Sequence, residues 1–347
     1  MEILIGKSKK PRYKGSPCSD VGIMLSIVIV NYMSRDYLRS CLDSIFSGDM
    51  EGVEIIVVDN GSKDRSVEMV RENFPSVNVI EQETNVGFAR ANNIAIKMAK
   101  GRYILILNPD TELKTDTLKR LVDFMENEPT VSAAGCKVLY PDGRNQLSCG
   151  YLPTVASAIW GGQAINRIFR KFFPGRNFFG ACALDPEALD SSHEVETLLG
   201  ACVILRKNIL ETIGLFDEGM FVYFEECDLF YRIRNAGGKI MYTPDATIYH
   251  HAGGSSSMAL QKSVTYYLTS QEYYLKKNLS LRRVFPFRAS VMVSAFVKSA
   301  LLATTYPLSS GKDQRHMKYK ILWHWYTFLH LLKNLFSQSG RPEIKTS

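Results

Sequence analysis

Three short runs of branched apolar residues, at 25–30 (LSIVIV), 53–58 (VEIIVV) and 103–107 (YILIL), read as strands covered on both faces. Helical patterns separate them. Residues 36–47 place Leu38, Leu42, Ile45 and Phe46 on one face; a second helix, with Ser62 available as its cap, runs to about Asn73 ahead of Pro75. A strand at 77–80, a helix at 87–100 closed by Gly101 and another at 116–127 complete the series. Alternation at this spacing predicts a doubly wound α/β sheet, with ligands at the carboxyl ends of its parallel strands. Polar residues stand at each of those ends: Asn31-Tyr32, Asp59-Asn60-Gly61-Ser62, Asn85 and Asn108-Pro109-Asp110. One such set is as well explained by turn formation; four along one rim point to binding. No strand is followed by GxGxxG or GxxxxGK[ST], which disfavours a dinucleotide fold and a P-loop NTPase.

The 347 residues, 46% apolar and 22% charged, fit one large α/β domain with additions. Seven cysteines without CxxC or ligand spacing predict reduced, buried thiols. The net charge of +7 is unevenly spread: from residue 260 on there are 14 basic and 3 acidic residues, so the preceding body is mildly acidic. Residues 1–24 read as a basic tail with no signal peptide. Residues 140–195, rich in Gly, Pro and aromatics with a basic knot at Arg167, Arg170, Lys171 and Arg176, read either as an insertion shaping a substrate cleft or as a solvated excursion. A strand-like run at 198–205 and a helix at 207–213 follow.

Two segments carry chemistry. In FVYFEECDLFYRIR (221–234), Glu225, Glu226 and Asp228 crowd together, and mutual repulsion raises a carboxyl toward the range of a general base. Alternatively they form an acidic helix start paired with Arg232 and Arg234, with Asp228 capping a helix from Leu229 to Ala236. His250-His251 end a strand-like stretch at 239–249; an imidazole there suits a metal if Asp110 lies close, and is otherwise a rim residue.

The ordered set LSIVIVNY, VVDNGSKD, NVGFARANN, LNPDT, GACVILRK, FEECDLFYR and IYHHAGGSS resembles the family 2 glycosyltransferases, closest to the bacterial rhamnosyltransferase-like members, over about residues 25–257. The resemblance implies a GT-A fold: a mostly parallel sheet with a Rossmann-like nucleotide-binding half, catalytic from 25 to 257, followed by a helical extension (258–347). It implies that Asn31, Tyr32 and Asp59 hold the nucleotide base and ribose, and that Asn85, Gly87 and Arg90 pack beside the diphosphate. The family's Asp-x-Asp metal motif corresponds to Asn108-Pro109-Asp110, so Asp110 is the principal ligand of Mg²⁺ or Mn²⁺, with His250 preferred over His251 as the second. The family's Glu-Asp pair corresponds to Glu225-Glu226; Glu226 then takes the base position, one methylene longer, with Asp228 or Glu225 as substitutes and Arg232 in support. Gly200 and Ala201 lie on the acceptor side.

The activity implied is inverting transfer of a sugar, rhamnose favoured, from a dTDP- or UDP-linked donor to a growing lipid-linked surface polysaccharide. Glucosyl, galactosyl or N-acetylhexosaminyl transfer, or a catalytically silent nucleotide-sugar-binding scaffold, are the alternatives. The basic C-terminal third, with Lys318, Lys320 and Lys333 around ILWHWYTFLHLL, fits a helix lying on an anionic membrane; a packed helical subdomain or a homo-oligomer interface is the other reading. No stretch reaches the span length, and the longest apolar runs there break at Lys298 and Lys312. No nucleic-acid module accompanies the charge. The expected location is cytoplasmic, peripheral on the inner face of a bacterial membrane.

Overall fold

The computed structural model describes residues 22–48, 51–160, 189–251, 260–308 and 311–336. Residues 1–21 of the basic tail and the basic knot at 167–176 lie outside these residues. The first half follows the predicted alternation: β1 (Leu25–Asn31), α1 (Arg35–Phe46), β2 (Val53–Asp59), α2 (Ser66–Asn73), β3 (Asn78–Glu81), α3 (Phe88–Met98) and β4 (Tyr103–Leu107). Strands β3, β2, β1 and β4 lie side by side and parallel. Leu25, Ile27 and Ile29 join one core with Leu38 and Leu42, while Val28 and Val30 join a second core with Ala91, Ala95 and Ile96. Apolar residues on both faces of the strand are what two covered faces require.

Beyond β4 the sheet becomes mixed. The elements are β5 (Thr111–Leu113), α4 (Thr117–Asn127), β6 (Val131–Leu139), β7 (Asn145–Gln146), β8 (Cys149–Gly150), α5 (Val155–Trp160), β9 (His193–Glu194), β10 (Thr197–Leu198), β11 (Cys202–Arg206), α6 (Lys207–Ile213), α7 (Glu225–Asn235) and β12 (Lys239–His250). β11 runs antiparallel between β4 and β6, and β12 runs parallel to β6, giving the order β3-β2-β1-β4-β11-β6-β12-β5. Because β12 pairs with β6 and β5, it delivers His250 opposite Thr111, next to Asp110 in sequence and more than a hundred residues away along the chain.

Several local expectations change. Ser62 does not cap α2: its hydroxyl accepts from Met33 N and Asn31 Nδ2, while Asp64 accepts from Ser66 N at the helix start. The run at 198–205 is two strands, because Leu199 N donates to Ser148 O and the chain turns through Gly200 and Ala201 before β11. The acidic helix begins at Glu225 rather than Leu229, so all three carboxylates sit in its first turn and Asp228 is no cap. The cysteines among the described residues are free, four of the five buried.

The C-terminal region forms α8 (Leu260–Leu279), α9 (Val284–Thr305) and α10 (Gly311–Asn334). They build a third core in which Val264, Leu268, Tyr274 and Val291 pack with Met220 and Phe224 of the acidic segment. α9 runs unbroken through Lys298, the charge that interrupts its apolar run, and is the one helix among the described residues long and apolar enough to cross a membrane. Its internal charges are accommodated by packing: Arg288 is buried and pairs with Glu272 of α8 at 2.7 Å, and Lys298 is half-buried.

Candidate active site

The carboxyl ends of the parallel strands open onto a cleft of about 340 Å³. Tyr32, Asn60, Asn85, Asn108 and Asp110 line it from the sheet rim. Gly200, Ala201, Phe221, Tyr223, Glu225 and Glu226 line it too, with His250 beside Asp110. Segments as far apart in the chain as Tyr32 and His250 therefore share one space.

Asp110 is 1% exposed and His250 7%, with His250 Nε2 3.4 Å from Asp110 Oδ1. Gln146, on β7, faces His250 Nδ1 at 3.0 Å through its amide oxygen. That contact favours the proton on Nδ1, leaving the Nε2 lone pair directed at a carboxylate oxygen. Two acceptors in that position call for a shared cation or a proton. His251 turns the other way, 2.9 Å from Glu112 and against the Tyr37 ring.

On α7, Glu225 is buried and Glu226 half-buried. Burial pushes both carboxyls above their usual range; the neighbouring Glu226 charge pushes Glu225 further, and a hydrogen bond between the two favours the charge on Glu226. One oxygen of each has no hydrogen-bond partner. The chain reaches this pair through Tyr223 (φ 70°) and Phe224 (φ 67°), two consecutive non-glycine residues in left-handed backbone. Such a lead-in persists only when surroundings impose it, and α8 does so. Ser270 Oγ donates to Val222 O, Tyr266 stacks on Phe221, and Tyr267 meets both Tyr223 and Phe224 edge-on.

A fold of this kind recurs in known proteins. The family model described as glycosyl transferase family 2 matches residues 26–184. The chain is a glycosyltransferase, similar over that stretch to family 2. Over 86% of its length the glycosyltransferase is 26% identical to the N-acetylglucosaminyl-diphospho-decaprenol L-rhamnosyltransferase of Mycobacterium tuberculosis, covering 98% of that protein. It is 27% identical to rhamnosyltransferase WbbL of Escherichia coli over 77% of this chain and 99% of that one. Among solved structures it superimposes with a TM-score of 0.53 on the mannosyltransferase PcManGT of Pyrobaculum calidifontis in complex with GDP-Man and Mn²⁺, at 19% identity, covering 95% of this chain and 92% of that one. GalNAc-T7 with UDP, GalNAc and Mn²⁺ gives the same TM-score at 15% identity, covering 93% of this chain and 59% of that structure. The glycosyltransferase thus has the GT-A fold and is rhamnosyltransferase-like.

Not every residue marked in the sequence reaches the cleft of the glycosyltransferase. Asp228 is fully buried and held by Arg232 Nε (2.8 Å), Lys277 Nζ (2.8 Å) and Asn278 Nδ2 (2.9 Å), so it is locked as an acceptor and cannot serve as a substitute base. Arg232 spends its remaining donors on the carbonyls of Ile213, Gly214 and Leu215; it anchors a loop and does not face an acceptor. Arg90 is largely exposed, 4.0 Å from Glu218, and is not among the cleft residues. Gly87 is required by packing: its φ is +89°, and a Cβ there would stand 2.7 Å from Phe221 O. Asn31 and Asp59 are buried, the amide donating to Asp59 Oδ2 at 2.7 Å while Asp59 Oδ1 accepts from Ser62 N. Asn60 presents itself to the cleft instead, fixing the next loop through Val86 N and Gly87 O. Gly200 stands where an added Cβ would lie 4.0 Å from Glu226 Cγ and Cδ. Among the described residues no group of three or more His, Cys, Asp or Glu is arranged around a metal position.

Proposed function

We propose that this glycosyltransferase passes a sugar, rhamnose favoured, from a dTDP- or UDP-linked donor to a growing lipid-linked surface saccharide, with inversion, at the inner face of a bacterial membrane. The observation that carries the reading is the convergence of Glu226 with Asp110 and His250 on one cleft. Displacing a nucleoside diphosphate from an anomeric carbon needs a proton acceptor for the incoming hydroxyl and neutralised charge on the departing oxygen. Glu226 takes that proton, its basicity raised by burial. Tyr32, Asn60, Asn85 and Asn108 offer polar contacts to the donor, and the small Gly200 leaves room for an acceptor beside the carboxylate.

A divalent cation fits the Asp110 and His250 pair. Adjacent ligands of an octahedral Mg²⁺ or Mn²⁺ stand about 3 Å apart, close to the observed 3.4 Å, and Gln146 holds the imidazole in the tautomer that coordinates. Asp110 and His250 would hold the ion, which would supply positive charge at the leaving group. Removing the carboxylate in Asp110→Ala should weaken donor binding in Mg²⁺ or Mn²⁺ by at least about tenfold and leave it unaltered in chelator, read by calorimetry; equal affinities with metal would remove the ion from this position.

The lipid-linked acceptor and rhamnose draw support from the names of the mycobacterial and Escherichia coli relatives. A panel of dTDP- and UDP-sugars with Mg²⁺ or Mn²⁺, followed by release of nucleoside diphosphate, tests the reading. Turnover of dTDP-rhamnose above the others is expected; binding without turnover of any donor would count against an active transferase.

A further inference from the structure

We propose that the outer faces of α9 and α10 form a docking ridge for the anionic phospholipid surface of a membrane. Placing the enzyme beside a lipid-linked acceptor rests on the reading above; the ridge itself does not. Among the described residues, twelve large apolar side chains are strongly exposed, and ten of them fall between residues 285 and 336. On α10 they recur at Trp325, Leu329 and Leu332 and continue to Phe336 just past its end, a spacing that puts all four on one stripe. On α9, Val293, Val297 and Leu301 form a second stripe, with Leu301 63% exposed. Phe296 meets Phe328 and Phe285 stacks on Phe336 across the two helices, so the stripes join into one surface. A contiguous apolar surface of this extent marks a contact site.

Charge identifies what it contacts. Between residues 280 and 340 there are nine Lys and Arg and a single acidic residue, Asp313. The exposed Arg315 and Lys318 continue the α10 stripe toward its N-terminus, and the exposed Lys333 flanks its other end. Arg282 and Arg283, also exposed, precede α9, whose start lies beside the end of α10 as the Phe285 contact with Phe336 shows. Apolar and aromatic side chains bracketed at both ends by cations match the acyl boundary and phosphate layer of an anionic leaflet. A second copy of the chain would oppose the same cations to themselves.

The helices lie along the surface rather than through it. The inward face of α9 is committed to the third core by Phe287 and Val291, Ala295 is buried as well, and Arg288 is tied to Glu272. The inward face of α10 is committed by Trp323 and Leu331, with Trp323 edge-on to Tyr267. That ring in turn touches Tyr223 and Phe224, so the ridge sits two side-chain layers from the lead-in to Glu226.

Co-sedimentation of the full chain with vesicles of phosphatidylcholine, with and without phosphatidylglycerol, tests the ridge. Binding is expected to the phosphatidylglycerol vesicles and to fall steeply in 0.5 M salt. The combined variant Trp325→Ser, Leu329→Ser, Leu332→Ser and, separately, Arg315→Glu with Lys318→Glu should each weaken it by about tenfold or more. These positions are exposed, so unchanged thermal melting will show that folding is intact. Failure of the full chain to bind phosphatidylglycerol vesicles, or equal binding by the apolar variant, would overturn the proposal. So would a stable dimer of the full chain that the apolar variant breaks. Transfer to a soluble acceptor, measured on the same variants, reports on the glycosyltransferase reading alone and should not change.

Discussion

Glu226→Gln is expected to lower the transfer rate by about a hundred- to ten-thousand-fold while donor affinity, measured by calorimetry, stays within error. Glutamine preserves volume and leaves the neighbouring contacts in place, but it cannot accept the acceptor hydroxyl's proton. Retention of full activity would move the base elsewhere. The pH profile supplies an independent check. Burial raises the Glu226 carboxyl, so the wild-type rate should fall as pH drops through a value above the ordinary carboxylate range. Glu225→Gln keeps a donor toward Glu226 and should leave that acid limb in place; Glu225→Leu removes it and should move the limb upward. The same burial has a cost in stability. A carboxyl whose folded pKa is raised loses stabilisation as pH climbs past its unfolded value of about 4.3. Glu225→Gln should therefore melt higher than wild type at neutral pH and approach it in acid.

The second large effect is structural. Asp228→Ala should destabilise the fold by about 3–5 kcal/mol, read from the shift in urea midpoint. The carboxylate is fully buried and receives donors from Arg232 on its own helix and from Lys277 and Asn278 on α8. Its removal leaves two cations without their central partner, although Lys277 retains Asp217 at 2.6 Å. Lys277→Met should cost less, because Asp228 keeps Arg232 and Asn278. A loss below about 1 kcal/mol, the range of surface ion pairs, in the alanine variant would show that the cluster is replaceable.

The parallel half of the fold was legible because each strand there announces itself twice, by an unbroken apolar run and by polar residues at its carboxyl end. The antiparallel insertion of β11 was not, since LLGACVIL carries no mark of direction and its partners are chosen by sheet closure. At the site, Asp110, His250, Glu225 and Glu226 were visible as residue types in motif positions. Their neighbours were harder. Gln146 orients His250 from a two-residue strand with no pattern of its own, and Asn60 rather than Asp59 lines the cleft because side chains alternate along a strand end. Asp228 and Arg90 look equally chemical in sequence, yet one is locked in an ion-pair cluster and the other is largely exposed; only the packing of α8 and the position of Glu218 decide this. Lys298 interrupts the apolar run of α9 without ending the helix, since a long lysine stem can lie along a helix surface while its charge reaches water.

The left-handed pair at Tyr223 and Phe224 has a practical consequence. A protein shortened to end at 257 would retain each sequence signature of the chemistry and lose the aromatic brace that keeps the carboxylate helix aimed. For this enzyme, the smallest recognisable piece and the smallest working piece are different lengths of chain.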